Sequence, residues 1–399
     1  MLGARLALLA ASCVLATALF SANNSGLAIA AEDAVESTSL NIQIQALIAQ
    51  LGGSSFVQRE AATRQLTQIG PAAKQALLEV LRSPDAEVRV RARRILDIVL
   101  ERDFQQRLRS FAADDSPADA HGLPCWVRFR DLFGNEPATR HLFVEMQRGE
   151  PALLDVAETA PRVAAETLEA RTRQMQEAAW DEDFDESEVE PSVGRVAAIM
   201  FVASASDVAL SEEAASYVAG LVWQGPFAQA ISEGPTSATM RKLLGKWVRK
   251  SLTAGIGLRA QNMMLAQQFE LPETLDLALS LISDEAMEPY LRPYAVMAVA
   301  KFGQKQHLAT LSKLLEDESP CGEYEDEEDG ETVVCQVRDA ALAAMICLTG
   351  QSLADYGFEG LDNEDALEMD LSELGFRSAE SREKAFAQWK EWSDKQPLP

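Results

Sequence analysis

The chain has 399 residues, of which 47% are hydrophobic and 25% are charged, so it can bury a large core and has the composition of a globular protein, not of a disordered one. Its 62 acidic and 36 basic side chains give a net charge of -26, which repels nucleic acid and anionic lipid. No nucleic acid is therefore expected as a partner, and only a local basic patch would be an exception.

The first thirty residues form a separate unit. Arg5 precedes an apolar run from Leu6 to Phe20, and the small residues of a cleavage site follow at Ala28 and Ala30. This pattern predicts a signal peptide at 1–30. The alternative is an uncleaved membrane anchor, for which the apolar run is short. We expect an exported protein in the periplasm, the cell envelope or the extracellular space, with no integral membrane span after cleavage.

Apolar residues at helical spacing predict a short helix from Leu40 to Leu51 and three packed helices from Ser54 to Leu100. Gly70-Pro71 separates the first helix from the second, and Ser83-Pro84-Asp85 starts the third. Arg59 stands eleven positions before Gly70, and the same interval separates an arginine from a glycine later in the chain. The arginines at the recurring position are Arg59, Arg89, Arg292 and Arg338, and Arg259 begins a weaker copy thirty-three positions before Arg292.

This motif of a hydrophobic residue and arginine, small residues and a glycine at the turn resembles that of HEAT-repeat proteins, in their short bacterial variety. The resemblance covers about 54–112 and 255–350. Together with the signal peptide, the stretches VRDAALAAMICLTGQSLADYGF and SREKAFAQWKEW are similar to exported HEAT-repeat proteins of planctomycete bacteria. The resemblance implies an all-α fold, an α-solenoid of HEAT-like helix pairs, and a structural role for the recurring arginines within or between repeats.

Composition divides the remaining chain into segments. They are N-terminal repeats at 31–112, a linker at 113–124, a helical middle segment at 125–254, C-terminal repeats at 255–350 with an acidic insertion at 316–336, and an acidic segment with a terminal capping helix at 351–399.

The terminal helix carries three aromatic residues on one stripe, Phe386, Trp389 and Trp392. We expect this stripe to dock on the preceding repeat and to close the end of the solenoid.

Cys321 and Cys335 bracket the acidic insertion, and export permits a disulfide between them. With thirteen intervening residues, such a bond would stabilise the fold by about 3 kcal/mol. The acidic run in this insertion, and a second run from Trp180 to Pro191, carry the carboxylates that calcium prefers, but neither follows the spacing of an EF-hand loop. Solvated loops are the alternative, and the sequence assigns no metal and no cofactor.

The strongest candidate binding surface lies from Thr239 to Leu252. Lys242, Lys246, Arg249 and Lys250 fall on one helical stripe, and no acidic residue occurs between 233 and 270. In so acidic a chain, this local reversal of charge predicts contact with an anionic partner, either an unidentified protein or an anionic polymer. The alternative is an ordinary solvated helix face.

Catalytic patterns find little support. The three histidines are widely spaced, and the chain lacks HExxH, GxSxG, GxGxxG and a phosphate loop. Ser381 to Lys384 matches SxxK, but its companion motifs are missing, so it is interpreted as helix surface. We expect a non-catalytic protein–protein interaction scaffold of the cell envelope. The alternative is an envelope hydrolase or accessory enzyme whose carboxylates are brought together only by the fold.

Overall fold

The computed structural model describes residues 38–114, 120–179, 191–250, 256–284, 287–325, 332–358 and 374–396. These ranges are mostly helical and contain one small antiparallel sheet. The chain divides into two compact units, Met1–Ala113 and Asp114–Pro399. Several predicted segments lie outside the described residues: the signal peptide, the acidic runs at 180–190 and 326–331, and residues 115–119 of the linker. No helix in the described ranges is long and apolar enough to cross a membrane.

The first unit consists of four helices in its described part. They are α1 (38–51), α2 (Phe56–Ile69), α3 (Lys74–Val80) and α4 (Ala86–Ala113). Gly70 ends α2 with a φ of 73°, a left-handed value that favours glycine, and Pro71 starts the turn into α3. Fully buried Leu66, Leu77 and Ile95 form the centre of the core between these helices. The predicted breaks are confirmed, but α4 continues well beyond Leu100 because Leu108 and Phe111 extend its buried face.

Two of the recurring arginines bind the turns that precede their own helices. An Nη1 group of Arg59 donates to the carbonyls six and five residues before it, at 2.8 and 3.2 Å. Arg89 repeats the arrangement with the same offsets, at 2.7 and 2.9 Å. These bonds satisfy carbonyl groups that no helix pairs, so the structural role predicted for these two residues is confirmed.

The second unit begins with short helices, three of which start on a proline, whose fixed φ suits the first helical position. Its helices are α5 (Trp126–Phe133), α6 (Pro137–Gly149), α7 (Pro151–Thr159), α8 (Pro161–Ala179), α9 (Val193–Ala203), α10 (Glu212–Gly220), α11 (Gly225–Ser232), α12 (Ser237–Lys250), α13 (Ile256–Gln268), α14 (Leu275–Ile282), α15 (Arg292–Phe302), α16 (Leu308–Leu311), α17 (Val337–Thr349) and α18 (Ala379–Ser393). Leu123, within the predicted linker, is buried in this unit.

The core around α9 holds the middle of the second unit together. Every residue of α9 from Gly194 to Ala203 is buried except Arg195, and the helix packs most closely on α6. A Cβ atom at Gly194 would lie 2.2 Å from the carbonyl oxygen of Glu145, so only glycine permits this approach. In the same core, aromatic rings from α5, α6 and α9 pack against one another at centroid distances of 4.8 to 5.5 Å. These rings are Trp126, Phe129, Phe133, Phe143 and Phe201.

Arginines of the C-terminal helices bind acids rather than carbonyls. Arg259 pairs with Asp284 at 3.4 Å, and Arg292 pairs with Asp317 at 2.5 Å, with the same separation of 25 residues along the chain. Each arginine lies on the first helix of a pair, and each aspartate follows the second. Arg338 pairs with Glu318 at 2.6 Å. The recurring position therefore has a structural role here as well, through ion pairs.

The described residues are consistent with the predicted all-α class, and the acidic insertion adds one small sheet. Strands β1 (Pro320–Glu325) and β2 (Thr332–Gln336) pair in an antiparallel hairpin, with Gly322 opposite Cys335. The register shifts between Pro320 and Gly322, which places Cys321 at an irregularity. The interpretation of the insertion as a solvated loop was wrong for its two ends, which form the strands. The β-branched residues at 332–334 and the alternating burial of β2 favour a strand.

The terminal helix α18 docks on the preceding part of the second unit. Trp389 is buried, and its ring centroid lies 6.3 Å from that of Tyr356. Arg382 donates to the carboxylate of buried Asp339 at 3.0 Å and to the carbonyl of Val334 at 2.9 Å. Phe386 of the predicted stripe also lies against Arg338, with the guanidinium carbon 5.6 Å from the ring centroid. That the stripe closes the end of a solenoid stays a prediction. The interpretation of Ser381 to Lys384 as helix surface was wrong for Arg382, whose partners come from residues 43 and 48 positions earlier.

A candidate anion-binding groove

Helix α12 carries the predicted basic stripe on one side and the core on the other. Met240, Leu243, Leu244 and Val248 are fully buried, so these apolar residues fix the rotation of the helix about its axis. Near its start, the hydroxyl of Thr239 lies 2.9 Å from that of Thr139 on α6, and both residues are buried. The basic side chains consequently point away from the core.

A groove of about 640 Å³ lies beside α12 in the second unit. Three separate segments build it: the end of α5, the turn after α9 and the basic side of α12. The lining residues are Leu132, Phe133, Ser204, Ser206, Lys242, Gly245, Lys246, Arg249 and Lys250. All four cations predicted from the sequence therefore line one groove, and none of its lining residues is acidic.

Lys250 differs from the other three cations because it binds the backbone. Its Nζ donates to the carbonyl oxygens of Ala203, the last residue of α9, and of Val208. The carbonyl of Ala203 lies at the negative end of the α9 dipole and has no helical N–H partner, whereas Val208 follows the helix by five residues. Burial lowers the pKa of Lys250, an effect that the charge of Asp207 opposes. Lys250 thus caps α9 in this structure, and the partner-binding role predicted for it stays a prediction.

Lys242, Lys246 and Arg249 make no hydrogen bond or ion pair within the described part of the chain. They follow one another at intervals of four and three residues, which places three like charges on one side of α12. Like charges at this spacing destabilise a helix by a few tenths of a kcal/mol per pair, about 0.2–0.5. The arrangement therefore costs stability in the absence of an anion.

The groove has the chemistry to bind oxyanions. The guanidinium of Arg249 can donate two parallel hydrogen bonds to a carboxylate, sulfate or phosphate, and the two ammonium groups act as compact charges. The hydroxyl of Ser204 already donates to the carbonyl of Phe201 at 2.9 Å. Leu132, 43% exposed, adds an apolar edge. This composition suits a charged group attached to a larger molecule.

Cys321 and Cys335 lie next to each other at the base of the hairpin. Both are buried thiols, and their Sγ atoms are 3.4 Å apart. A hydrogen bond between the two thiols, together with burial, raises the pKa of Cys335, so Cys335 is not set up as a reactive thiolate. The sulfurs are not bonded in this structure, and the disulfide stays a prediction.

Other titratable groups in the described residues have structural surroundings. Glu150 is buried, and Arg171 and Arg195 bind its carboxylate at 2.7 and 3.2 Å. The Nε2 of His121 lies 2.9 Å from an Oδ atom of Asp114, on a partly exposed turn outside the groove. In the part of the chain that the structure describes, no group of three or more His, Cys, Asp or Glu side chains could hold a metal ion.

Sequence reasoning missed the groove residues outside α12. Leu132, Phe133, Ser204 and Ser206 come from segments that lie 36 to 110 positions before the first lysine of the stripe. None of them belongs to a motif, because their position in the groove depends on how α5 and α9 pack against α12. Only the local reversal of charge was visible in the sequence, and it identified the cationic side.

No protein-family model matches the sequence, and no curated protein matches it. The function is therefore inferred from the chemistry of the residues in the groove.

Proposed function

We propose that this protein is exported through its signal peptide and acts as a non-catalytic interaction scaffold in the cell envelope. Its HEAT-like helix pairs form an α-solenoid, and its cationic groove binds the anionic groups of a partner, either an acidic protein or an anionic polymer. The observation that carries the proposal is the groove itself, where Lys242, Lys246 and Arg249 lack a protein partner within the described residues.

The contacts of the recurring arginines support the solenoid. Arg59 and Arg89 bind the preceding turns with identical offsets, and Arg259 and Arg292 pair with aspartates at an identical separation. Such repetition is the expected result when one supersecondary unit is copied along a chain. Each set occurs within one of the two units.

The net charge of the chain gives the groove selectivity. With a charge of -26, most of the surface repels acidic molecules, so an anion gains by approaching only where the sign reverses. Because the cations are solvent-exposed or half-exposed, the interaction should weaken when salt shortens the Debye length from about 10 Å at 0.1 M to about 3 Å at 1 M. Strong salt dependence is therefore part of the proposal.

The test is a charge reversal, Lys246→Glu with Arg249→Glu, in the full chain. Cross-linking in intact cells would recover partners of the unchanged protein and of the variant. Titrations with polyglutamate and with a sulfated polysaccharide would separate the two kinds of anion. We expect binding to fall by about tenfold or more, on the scale of 1.4 kcal/mol per factor of ten.

The matched control is Lys313→Glu with Lys384→Glu, which changes the net charge equally at exposed positions outside the groove. This control should retain binding. If the groove variant and the control recover the same partners and bind both polymers equally, the groove is not the binding surface and the proposed function fails.

A further inference from the structure

A second groove lies in the first unit, between α2 and α4. Its volume is about 620 Å³, and it is lined by side chains from matching stripes of the two helices. On α2, Glu60 and Arg64 are four residues apart, and on α4, Val90, Arg94 and Ile98 follow at the same spacing. The two stripes face the same space.

The acidic side chains of this groove are already neutralised. Arg91 donates to Glu60 at 2.7 Å and to Glu87 at 3.0 Å, and Arg59 also contacts Glu87 at 2.8 Å. The hydrogen bond from Arg91 lowers the pKa of Glu60, so this carboxylate stays ionised and bound to its partner. The charge that the groove offers to another molecule is therefore set by the remaining arginines.

Arg64 and Arg94 are exposed and make no hydrogen bond or ion pair within the described residues. They are thirty positions apart, as are Arg59 and Arg89, so both occupy the same place in successive copies of the repeat. The repeat geometry thus places two equivalent guanidinium groups along one groove. A row of two such groups matches carboxylates spaced along an extended or helical segment.

The groove also exposes apolar side chains. Val90 is 69% exposed and Ile98 is 36% exposed, and Arg94 lies between them on the same stripe of α4. Exposed single apolar residues are common, but here they alternate with cations inside a concave surface. A partner that covers them must carry apolar groups as well as negative charge.

We propose that this groove of the first unit docks an acidic amphipathic peptide segment of a partner protein. Apolar side chains of the segment pack on Val90 and Ile98, and its Asp or Glu side chains pair with Arg64 and Arg94. A polysaccharide with the same charge has no apolar stripe to bury and fits this groove less well. The inference is independent of the cationic groove, because the two lie in different units of the chain.

The probe is a synthetic helical peptide of Leu and Glu with Leu at every fourth position, labelled for fluorescence anisotropy and titrated with the full chain. Two control probes are a peptide of the same composition with scrambled Leu positions and polyglutamate. We expect the patterned peptide to bind at least about fivefold more tightly than either control.

The variants separate charge from apolar contact. Arg64→Glu with Arg94→Glu should weaken binding about tenfold, and Val90→Asn should weaken it about threefold. Arg64→Lys with Arg94→Lys, which keeps the charge, should stay within about threefold of the unchanged protein. Arg93→Glu with Arg109→Glu is the matched control, since both residues are exposed and outside the groove.

Three results would overturn the inference. They are equal binding of the patterned and scrambled peptides, equal binding by the Arg64/Arg94 reversal and its control, and a loss of peptide binding caused by Lys246→Glu with Arg249→Glu. The last result would assign peptide binding to the cationic groove and support the proposed function alone. Failure of the cationic groove to bind its polymers would leave the expectations for the first unit unchanged.

Discussion

Replacing Arg382 by alanine should release the terminal helix α18. The carboxylate of Asp339 is fully buried, and it accepts two hydrogen bonds from Arg382 at 3.0 Å and one from the backbone N–H of Gln336 at 2.9 Å. The substitution leaves a buried charge with a single backbone donor. Removing one partner of a buried ion pair costs about 3–5 kcal/mol, and the partial exposure of Arg382 favours the lower end, about 3 kcal/mol.

Hydrogen–deuterium exchange of peptides from α18 measures this loss directly. A decrease of about 3 kcal/mol in the opening free energy corresponds to roughly hundredfold faster exchange, at 1.36 kcal/mol per factor of ten. Replacing both partners, Arg382→Leu with Asp339→Leu, should recover part of the loss because no buried charge remains. Lys390→Ala is the control on the same helix, since its ion pair with Asp394 is exposed and contributes little.

The effect should also depend on pH. Burial raises the pKa of Asp339, while the hydrogen bonds and charge of Arg382 oppose the rise. Without Arg382 the pKa rises further, so the folded state takes up a proton more readily than the unfolded chain, and the variant gains stability as the pH falls. The difference between variant and unchanged protein should therefore shrink between about pH 7.5 and about pH 5.

Two outcomes would refute this reasoning. One is exchange of the α18 peptides in Arg382→Ala within about twofold of the unchanged protein, which would mean that the buried pair does not hold the helix. The other is an equal loss at both pH values, which would mean that the charge of Asp339 is not the cause.

Three further predictions concern the second unit. Gly194→Ala should destabilise it by about 1–3 kcal/mol in urea unfolding, since the added methyl group meets the carbonyl of Glu145; an unchanged midpoint would contradict the close helix approach. Lys250→Met should destabilise the protein by about 1–3 kcal/mol because it leaves two carbonyls unpaired. Burial lowers the pKa of Lys250, so the unfolded chain holds this proton to a higher pH than the folded protein does. The stability of the unchanged protein should therefore rise more with pH in the alkaline range than that of the variant. Mild oxidation should join Cys321 and Cys335 and stabilise the unit by about 3 kcal/mol; mass spectrometry that recovers both thiols after oxidation would contradict the pairing.

The presence of helices and the residues at which they end could be predicted from the sequence, because both depend on neighbouring residues. Apolar spacing predicted the four helices of the first unit, and Gly70, Gly134 and Gly350 end helices with positive φ values that glycine accepts without strain. The recurring arginines were also accessible to sequence reasoning. The bonds of Arg59 to carbonyls five and six residues before it are made between a helix and the turn that precedes it.

The hairpin and the contacts of Arg382 could not be predicted from neighbouring residues. Thr332 to Gln336 is too short for its period to distinguish a strand from a loop, and its pairing with Pro320 to Glu325 is fixed by contact across the insertion. Arg382 looked like one of several charges on a polar helix. Its burial depends on Asp339, which lies 43 positions earlier.

The basic stripe shows where the two levels of information separate. The sequence by itself determined that four cations, Lys242, Lys246, Arg249 and Lys250, share one side of a helix in a chain of opposite charge. Only the tertiary structure decided that Lys250 caps α9 while the other three stay available within the described residues. The physical reason is that helical periodicity determines which side of the helix each side chain occupies. The partner of a charged side chain depends instead on which distant carbonyl or carboxylate the packed chain brings within hydrogen-bond distance.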